Sequence, residues 1–130
     1  MLPLSNKITL SSNDNSAKLE LATRYLVQIN ITFDMTGATK FRSLTSHFCV
    51  RKEQIEDFVR CINQEIVAEL KDNDSDAYIK ISCKNDTFFV QAQIGGSHED
   101  NIYIEFITGG KALLKFTKGL SELLKFDDAY

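Results

Sequence analysis

Apolar and polar residues alternate along most of this chain, and twice the alternation gives way to a spacing of three and four. Ile8 and Leu10 alternate with polar neighbours and run into Ser11-Ser12-Asn13-Asp14-Asn15-Ser16. The short polar side chains there compete for backbone hydrogen bonds, so a first strand is predicted to end in a loop. Leu19 and Leu21 resume the alternation. From Tyr25 it is at its clearest: Tyr25, Val27, Ile29, Ile31, Phe33 and Met35 point one way, and Gln28, Asn30, Thr32 and Asp34 the other, as in a half-buried antiparallel strand. Thr36-Gly37-Ala38-Thr39 is predicted to turn. Phe41 to Val50 then reads as a less regular strand, interrupted by Ser43, Ser46 and His47.

The period changes at Lys52. Ile55, Phe58, Val59, Ile62, Ile66, Val67 and Leu70 draw one apolar stripe, which predicts a helix from Lys52 to Lys71 with Glu53, Glu56 and Asp57 at its dipole-favoured start. Three strands follow, at Tyr78–Cys83, Thr87–Ile94 and Ile102–Ile107, separated by a turn at Lys84-Asn85-Asp86 and the loop Gly95 to Asp100. A last helix runs from Lys111 to about Lys125 with Leu113, Phe116, Leu120, Leu123 and Leu124 inside. Gly119 weakens it by about 1 kcal/mol relative to alanine, which suggests a close neighbour in place of the missing side chain.

Sliding the chain by fifty-eight residues lays Phe48 on Phe106, Ile55 on Leu113, Phe58 on Phe116, Ile62 on Leu120 and Ile66 on Leu124. Any pair of amphipathic helices repeats such a spacing, and an ancient duplication would too. Either way, two matching stripes need one apolar surface to cover. The expected fold is a single α+β domain over residues 1–130, a two-layer arrangement in which a largely antiparallel sheet carries both amphipathic helices on one face.

Composition narrows the class. With 130 residues, 43% of them hydrophobic, 25% charged and one proline, the chain fits an ordinary globule and excludes collagen-like, coiled-coil and disordered classes. A net charge of −3 argues against a nucleic-acid partner, because a phosphate-backbone binder carries a basic surplus. Cys49, Cys61 and Cys83, spaced by twelve and twenty-two, fit neither a disulfide framework nor a zinc site and read as reduced, packed thiols. The first residues lack the apolar run of a signal peptide, and no stretch approaches a membrane span. A cytoplasmic location is the expectation.

Few constellations offer chemistry, and no catalytic residue, metal site or cofactor motif is predicted. Ser46 and His47 are adjacent on a strand and point to opposite faces, and no G-x-S-x-G elbow exposes a nucleophile. His98-Glu99-Asp100 places an imidazole and two carboxylates in one loop without EF-hand or H-E-x-x-H spacing, so it reads first as a solvated hairpin tip. A small-ligand or enzymatic site at the 95–100 loop is kept as the alternative, and a pocket joining it to His47 would favour it. Thr108-Gly109-Gly110-Lys111 fails the phosphate-binding pattern and reads as a strand-to-helix connection with Thr108 as N-cap. Tyr78, Phe88, Phe89 and Tyr103 lack the interleaved basic residues of an RNA-stacking sheet and read as core aromatics and cross-strand pairs.

Charge, by contrast, is unevenly placed. Glu53, Glu56, Asp57, Glu65, Glu69, Asp72, Asp74 and Asp76 face only Arg60 and Lys71, a local net of −6, whereas Lys111 to Lys125 carries +3. Opposed patches of this kind steer partners of opposite sign. Around this charge, Phe48, Val50, Ile55, Phe58 and Ile62, the Ile79/Ile81 and Phe88/Val90 strands, and Ile104-x-Phe106 followed by Gly110, Leu113, Phe116, Leu120 and Leu123-Leu124 form a familiar order. From Phe48 to Phe126 the chain resembles the bacterial immunity proteins of the WapI type, which neutralise toxins delivered between neighbouring cells. Where members of that family often carry an acidic residue before the last helix, this chain has Thr108-Gly109-Gly110. The resemblance implies a non-catalytic cytoplasmic protein that occludes a cognate, basic, nuclease-type toxin domain. Glu65, Glu69, Asp72, Asp74 and Asp76 are the expected contacts. A homodimer is a further expectation, since Tyr25 to Thr36 is long enough to form a sheet edge that needs cover.

Overall fold

The computed structural model describes residues 7–125. Four strands, β1 (Lys7–Ser11), β2 (Ala17–Val27), β3 (Asn30–Thr39) and β4 (Ser43–Arg51), precede helix α1 (Lys52–Asn63). Four more, β5 (Ala68–Lys71), β6 (Tyr78–Lys84), β7 (Thr87–Ile94) and β8 (Ile102–Thr108), precede α2 (Gly110–Leu123). Each set is an antiparallel meander in chain order, so the α+β fold holds two four-stranded sheets. Their inner faces meet where β3 lies against β7 and β8, and β4 against β7. α1 packs along β5 and α2 along β1, so each helix covers the edge strand that opens the other sheet, and the two helices touch.

The fifty-eight-residue echo is therefore architectural. It carries β4 onto β8 and α1 onto α2, and it lays Leu19 and Leu21 of β2 on Ala77 and Ile79, which end the β5–β6 loop and open β6. The hairpin loops repeat an exchange as well. The Asn13 N–H, between β1 and β2, donates to the Ile107 carbonyl at the free edge of β8 (2.9 Å). The Asn73 N–H, between β5 and β6, donates to the Cys49 carbonyl at the free edge of β4 (2.9 Å). Each half thus closes part of the other's open sheet edge, which would otherwise present unpaired backbone groups.

The second clasp is fastened by Asp72, which is only 6% exposed. Its carboxylate accepts from the Cys49 N–H (2.8 Å), the Asp74 N–H (3.2 Å) and the Ser75 hydroxyl (2.6 Å). Removing it strands a half-buried N–H, a loss on the order of 1–3 kcal/mol. Asp72→Ala is accordingly expected to lower the urea midpoint by that equivalent with the slope unchanged. An unaltered midpoint would show that the clasp adds nothing.

One core runs between the sheets and under both helices. Phe33, Phe48, Phe58 and Phe116 are its largest fully buried side chains, joined by Leu10, Leu19, Leu21, Leu26, Ile31 and Ile55. Gly37 marks the closest approach of the two sheets, since a Cβ there would overlap the Ile94 side chain. At Gly119 the expected neighbour is Ile8 of β1, whose Cγ2 would lie 3.2 Å from an added Cβ.

Several boundaries differ from the sequence expectation. Tyr25 to Met35 is a hairpin, with Gln28 at a φ of 57° in the turn between Val27 and Asn30. A register shift between Thr23 and Tyr25 turns Leu26 inward, so Tyr25, Val27 and Ile29 are exposed. The strand foreseen as a sheet edge is interior, because β2 and β3 are flanked by β1 and β4. The turn foreseen at 36–39 is strand, and the chain reverses at Lys40 to Arg42 with Phe41 in solvent. The helix foreseen to Lys71 stops at Asn63, because Glu65 takes a φ of 57° while its N–H and that of Ile66 bond back to the Ile62 and Cys61 carbonyls. Leu70 then pairs with Ile79 as strand. Gly109, not Thr108, is the N-cap of α2. The Thr108 hydroxyl instead donates to the Ser11 carbonyl (2.7 Å), tightening the first clasp.

Candidate functional site

Because the fold repeats, its two outer sheet faces have the same structural task, and differences between equivalent positions identify residues that the fold itself does not require. On the second sheet, cross-strand registers place Ser82, Phe89 and Ile107 in one row, Glu69, Lys80, Gln91 and Glu105 in the next, and Lys71, Tyr78, Gln93 and Tyr103 in a third. Alternation directs these side chains away from the core. The corresponding rows of the first sheet hold Tyr25, Thr32 and Cys49, then Lys7, Ala22, Asp34 and His47, then Thr9, Glu20, Thr36 and Thr45. Phe89, Ile107, Tyr78 and Tyr103 of the second sheet correspond to Thr32, Cys49, Glu20 and Thr45 of the first, whose own exposed aromatic, Tyr25, corresponds to Ser82.

These apolar groups are open to solvent. Phe89 is 37% exposed, Ile107 44% and Tyr103 51%, so the reading of Phe89 and Tyr103 as core is corrected: strand alternation turns both outward, and only Phe88 is partly packed against the core. Phe89 and Ile107 sit directly opposite each other at the head of a groove of about 780 Å³. Ser82, Gln91, Glu105 and Phe106 line it too, with Asn13, Asp14 and Ser16 brought in by the β1–β2 loop docked on β8.

Carboxylates ring this face and are held ionised. The Tyr103 hydroxyl donates to Glu105 Oε2 (2.7 Å) and Gln91 Nε2 adds a second bond to it (3.2 Å), which lowers the Glu105 pKa and raises that of the phenol. Asp14 accepts from the Ser16 hydroxyl (2.6 Å), the Ser16 N–H (3.0 Å) and the Ser12 hydroxyl (2.8 Å), and its pKa falls to about 2. Asp76 accepts from the Ser97 hydroxyl and N–H and from Gln93 Nε2, which lowers its pKa. The Gln91–Tyr103–Glu105 network (Gln91 Nε2 to Tyr103 Oη 2.9 Å) also fixes the aromatic ring on the edge strand β8.

The five acidic residues singled out in the sequence are not one patch. Glu69 lies on this face beside Lys80 and near Lys71 (3.8 Å), and Asp76 borders it while bracing the 95–100 loop. Asp74 is exposed in the β5–β6 loop, and Glu65 is exposed in the turn after α1. Asp72 is buried in the clasp. What the sequence reading missed is the face itself, whose signal was the pair of adjacent aromatics at Phe88-Phe89, one on each side of β7.

The 95–100 loop is occupied with its own support. Glu99 accepts from the Gly96 N–H (3.1 Å) and, weakly, from the Ser46 hydroxyl (3.5 Å), and Asn101 bonds the Gly96 and Glu99 carbonyls. His47 lies on the outer face of the first sheet, the opposite side of β4 from Ser46, so it does not join this loop. Among the described residues no group of three or more His, Cys, Asp or Glu side chains is placed to hold a metal ion, and no helix is long and apolar enough to cross a membrane. The sequence matches no protein-family model and no curated protein.

Proposed function

We propose that this chain is a non-catalytic protein-binding domain of the immunity type, which covers a cognate basic toxin domain with the outer face of its second sheet. The observation that carries the reading is the cluster of exposed Phe89, Ile107 and Tyr103 beside one groove on the second sheet, bordered by Glu69, Glu105, Asp14 and Asp76 with Lys71 and Lys80 among them, whereas the first sheet's exposed Tyr25 and Val27 lie at the end of the β2–β3 hairpin. Aromatic and aliphatic anchors inside a charged rim are the usual anatomy of a protein interface, in which a few aromatic residues carry most of the affinity. The acidic rim selects a basic partner and speeds encounter with it. The class of partner comes from the resemblance over residues 48–126. Cytoplasmic residence belongs to the same reading, and three cysteines outside any disulfide are compatible with a reducing compartment.

Binding of the partner captured from the native cell, measured over a salt series, tests the electrostatic half of this reading. The association rate is expected to fall by about tenfold between low and high ionic strength while the dissociation rate changes little. An association rate indifferent to salt would remove the acidic rim from the account.

A further inference from the structure

The two helices repeat the same fold position with inverted charge. At the equivalent solvent-facing sites α1 carries Glu53, Glu56, Asp57 and Arg60, and α2 carries Lys111, Leu114, Lys115 and Lys118. Three carboxylates and one guanidinium on one helix thus correspond to three ammonium groups and an exposed leucine on the other. Folding does not explain the inversion, because both helices bury the same stripe, Ile55, Phe58 and Ile62 matching Leu113, Phe116 and Leu120. Nor is the charge consumed between the helices. The ion pairs found on α1 are local, Arg60 to Asp57 (2.7 Å) and Arg51 to Glu53 (3.3 Å), and among the described residues Lys111, Lys115 and Lys118 have no ion-pair partner.

The helices lie side by side, and a shallow groove of about 400 Å³ between them is lined by Glu56, Val59, Arg60 and Asn63 on one side and by Ser121 and Leu124 on the other. Their outward sides form one surface, net acidic on the α1 half, where Arg60 stands among Glu53, Glu56 and Asp57, and net basic on the α2 half, where Glu122 stands against Lys111, Lys115 and Lys118. A surface divided this way is self-complementary under a two-fold rotation: turned over, its acidic half faces the basic half of a copy, twice over. We infer that this helix layer is a homodimer interface, in which α1 of one protomer lies on α2 of its partner and Leu114, two-thirds exposed in the monomer, supplies the apolar contact. This interface is separate from the second sheet's outer face, so either can fail without the other.

Sedimentation equilibrium of the full chain tests it. At low ionic strength the weight-average mass is expected to approach twice 14.7 kDa with rising concentration, and the dimer is expected to weaken about tenfold at high salt, where surface charges are screened. Lys115→Glu with Lys118→Glu makes both halves acidic, and Glu53→Lys with Asp57→Lys makes both basic. Each double variant alone is expected to stay monomeric at low salt, and a one-to-one mixture to form a heterodimer. All four positions are solvent-facing, and circular dichroism verifies that the variants fold. A monomer at every concentration, a dimer untouched by salt and charge reversal, or a mixture that stays monomeric would each overturn the inference.

Discussion

Truncating Phe116 to alanine is expected to reduce the unfolding free energy by about 3–5 kcal/mol, and truncating Phe58 by a similar amount. Both rings are buried at 1% exposure or less and occupy equivalent positions on α1 and α2. The cost has two parts, the lost transfer of an aromatic side chain out of water and the cavity left where helix and sheet cannot fully close. It is large against the roughly 5–15 kcal/mol of a typical domain, and either variant should melt at least about ten degrees below the parent. The form of the transition matters as much as its midpoint. α1 covers β5, and α2 covers β1, so each phenylalanine belongs to a helix that spans both halves. A single cooperative transition is therefore expected in both variants, with fluorescence and circular dichroism coincident. Two separated transitions, or a Phe58 variant that loses only the first sheet, would mean that the halves fold independently and that the clasps are incidental.

The second large effect concerns recognition. Phe89→Ser and Tyr103→Ala are each expected to weaken the captured complex by about thirtyfold or more, the equivalent of about 2 kcal/mol, mainly through faster dissociation. Tyr103 carries the larger share, because its hydroxyl holds Glu105 and it is the most exposed of Phe89, Ile107 and Tyr103. Two substitutions on the outer face of the first sheet, Thr45→Ala at the site equivalent to Tyr103 and Thr36→Ala beside it, are expected to leave binding within about twofold, since surface changes away from an interface rarely exceed about 0.5 kcal/mol. Melting curves of all four variants exclude loss of fold as the cause. Equal losses from the two faces would mean that the difference between them has no role in binding.

Much of the fold was legible in the sequence because its elements obey one period at a time. The last helix, the strand Thr87–Ile94 and the strand beginning at Tyr78 agree with the structure to within a residue or two. The errors cluster where a non-glycine residue takes a left-handed conformation. Gln28 and Glu65 both do so, and neither carries the glycine or asparagine signal that marks a turn. Ile66, Val67 and Leu70 happen to continue the helical stripe, although Ala68 and Leu70 already alternate as strand. At Tyr25 the register shift reverses which residues face inward, an event that a period-two reading cannot anticipate.

The site was less legible than the fold. A run of carboxylates is contiguous in sequence, but its members serve different neighbours once folded: Asp72 reaches back twenty-three residues to Cys49, and Asp76 reaches forward twenty-one to Ser97. Those partners exist only in the tertiary structure. The proposed recognition face is harder still to read from the chain, because its evidence is a comparison between two halves that share a fold and almost no sequence. The fifty-eight-residue echo already contained that comparison in outline, yet it aligned the helices and left the outer strand positions unread.

The most direct test is to present the intact protein and its face variants to a lysate of the native cell and to measure, for one captured protein, its affinity for each. The parent, Thr36→Ala and Thr45→Ala are expected to retain a basic protein with the same affinity, and Phe89→Ser and Tyr103→Ala to lose it. A partner bound equally well by all five proteins, or one lost only on changing the first sheet, would contradict the assignment of recognition to the outer face of the second sheet.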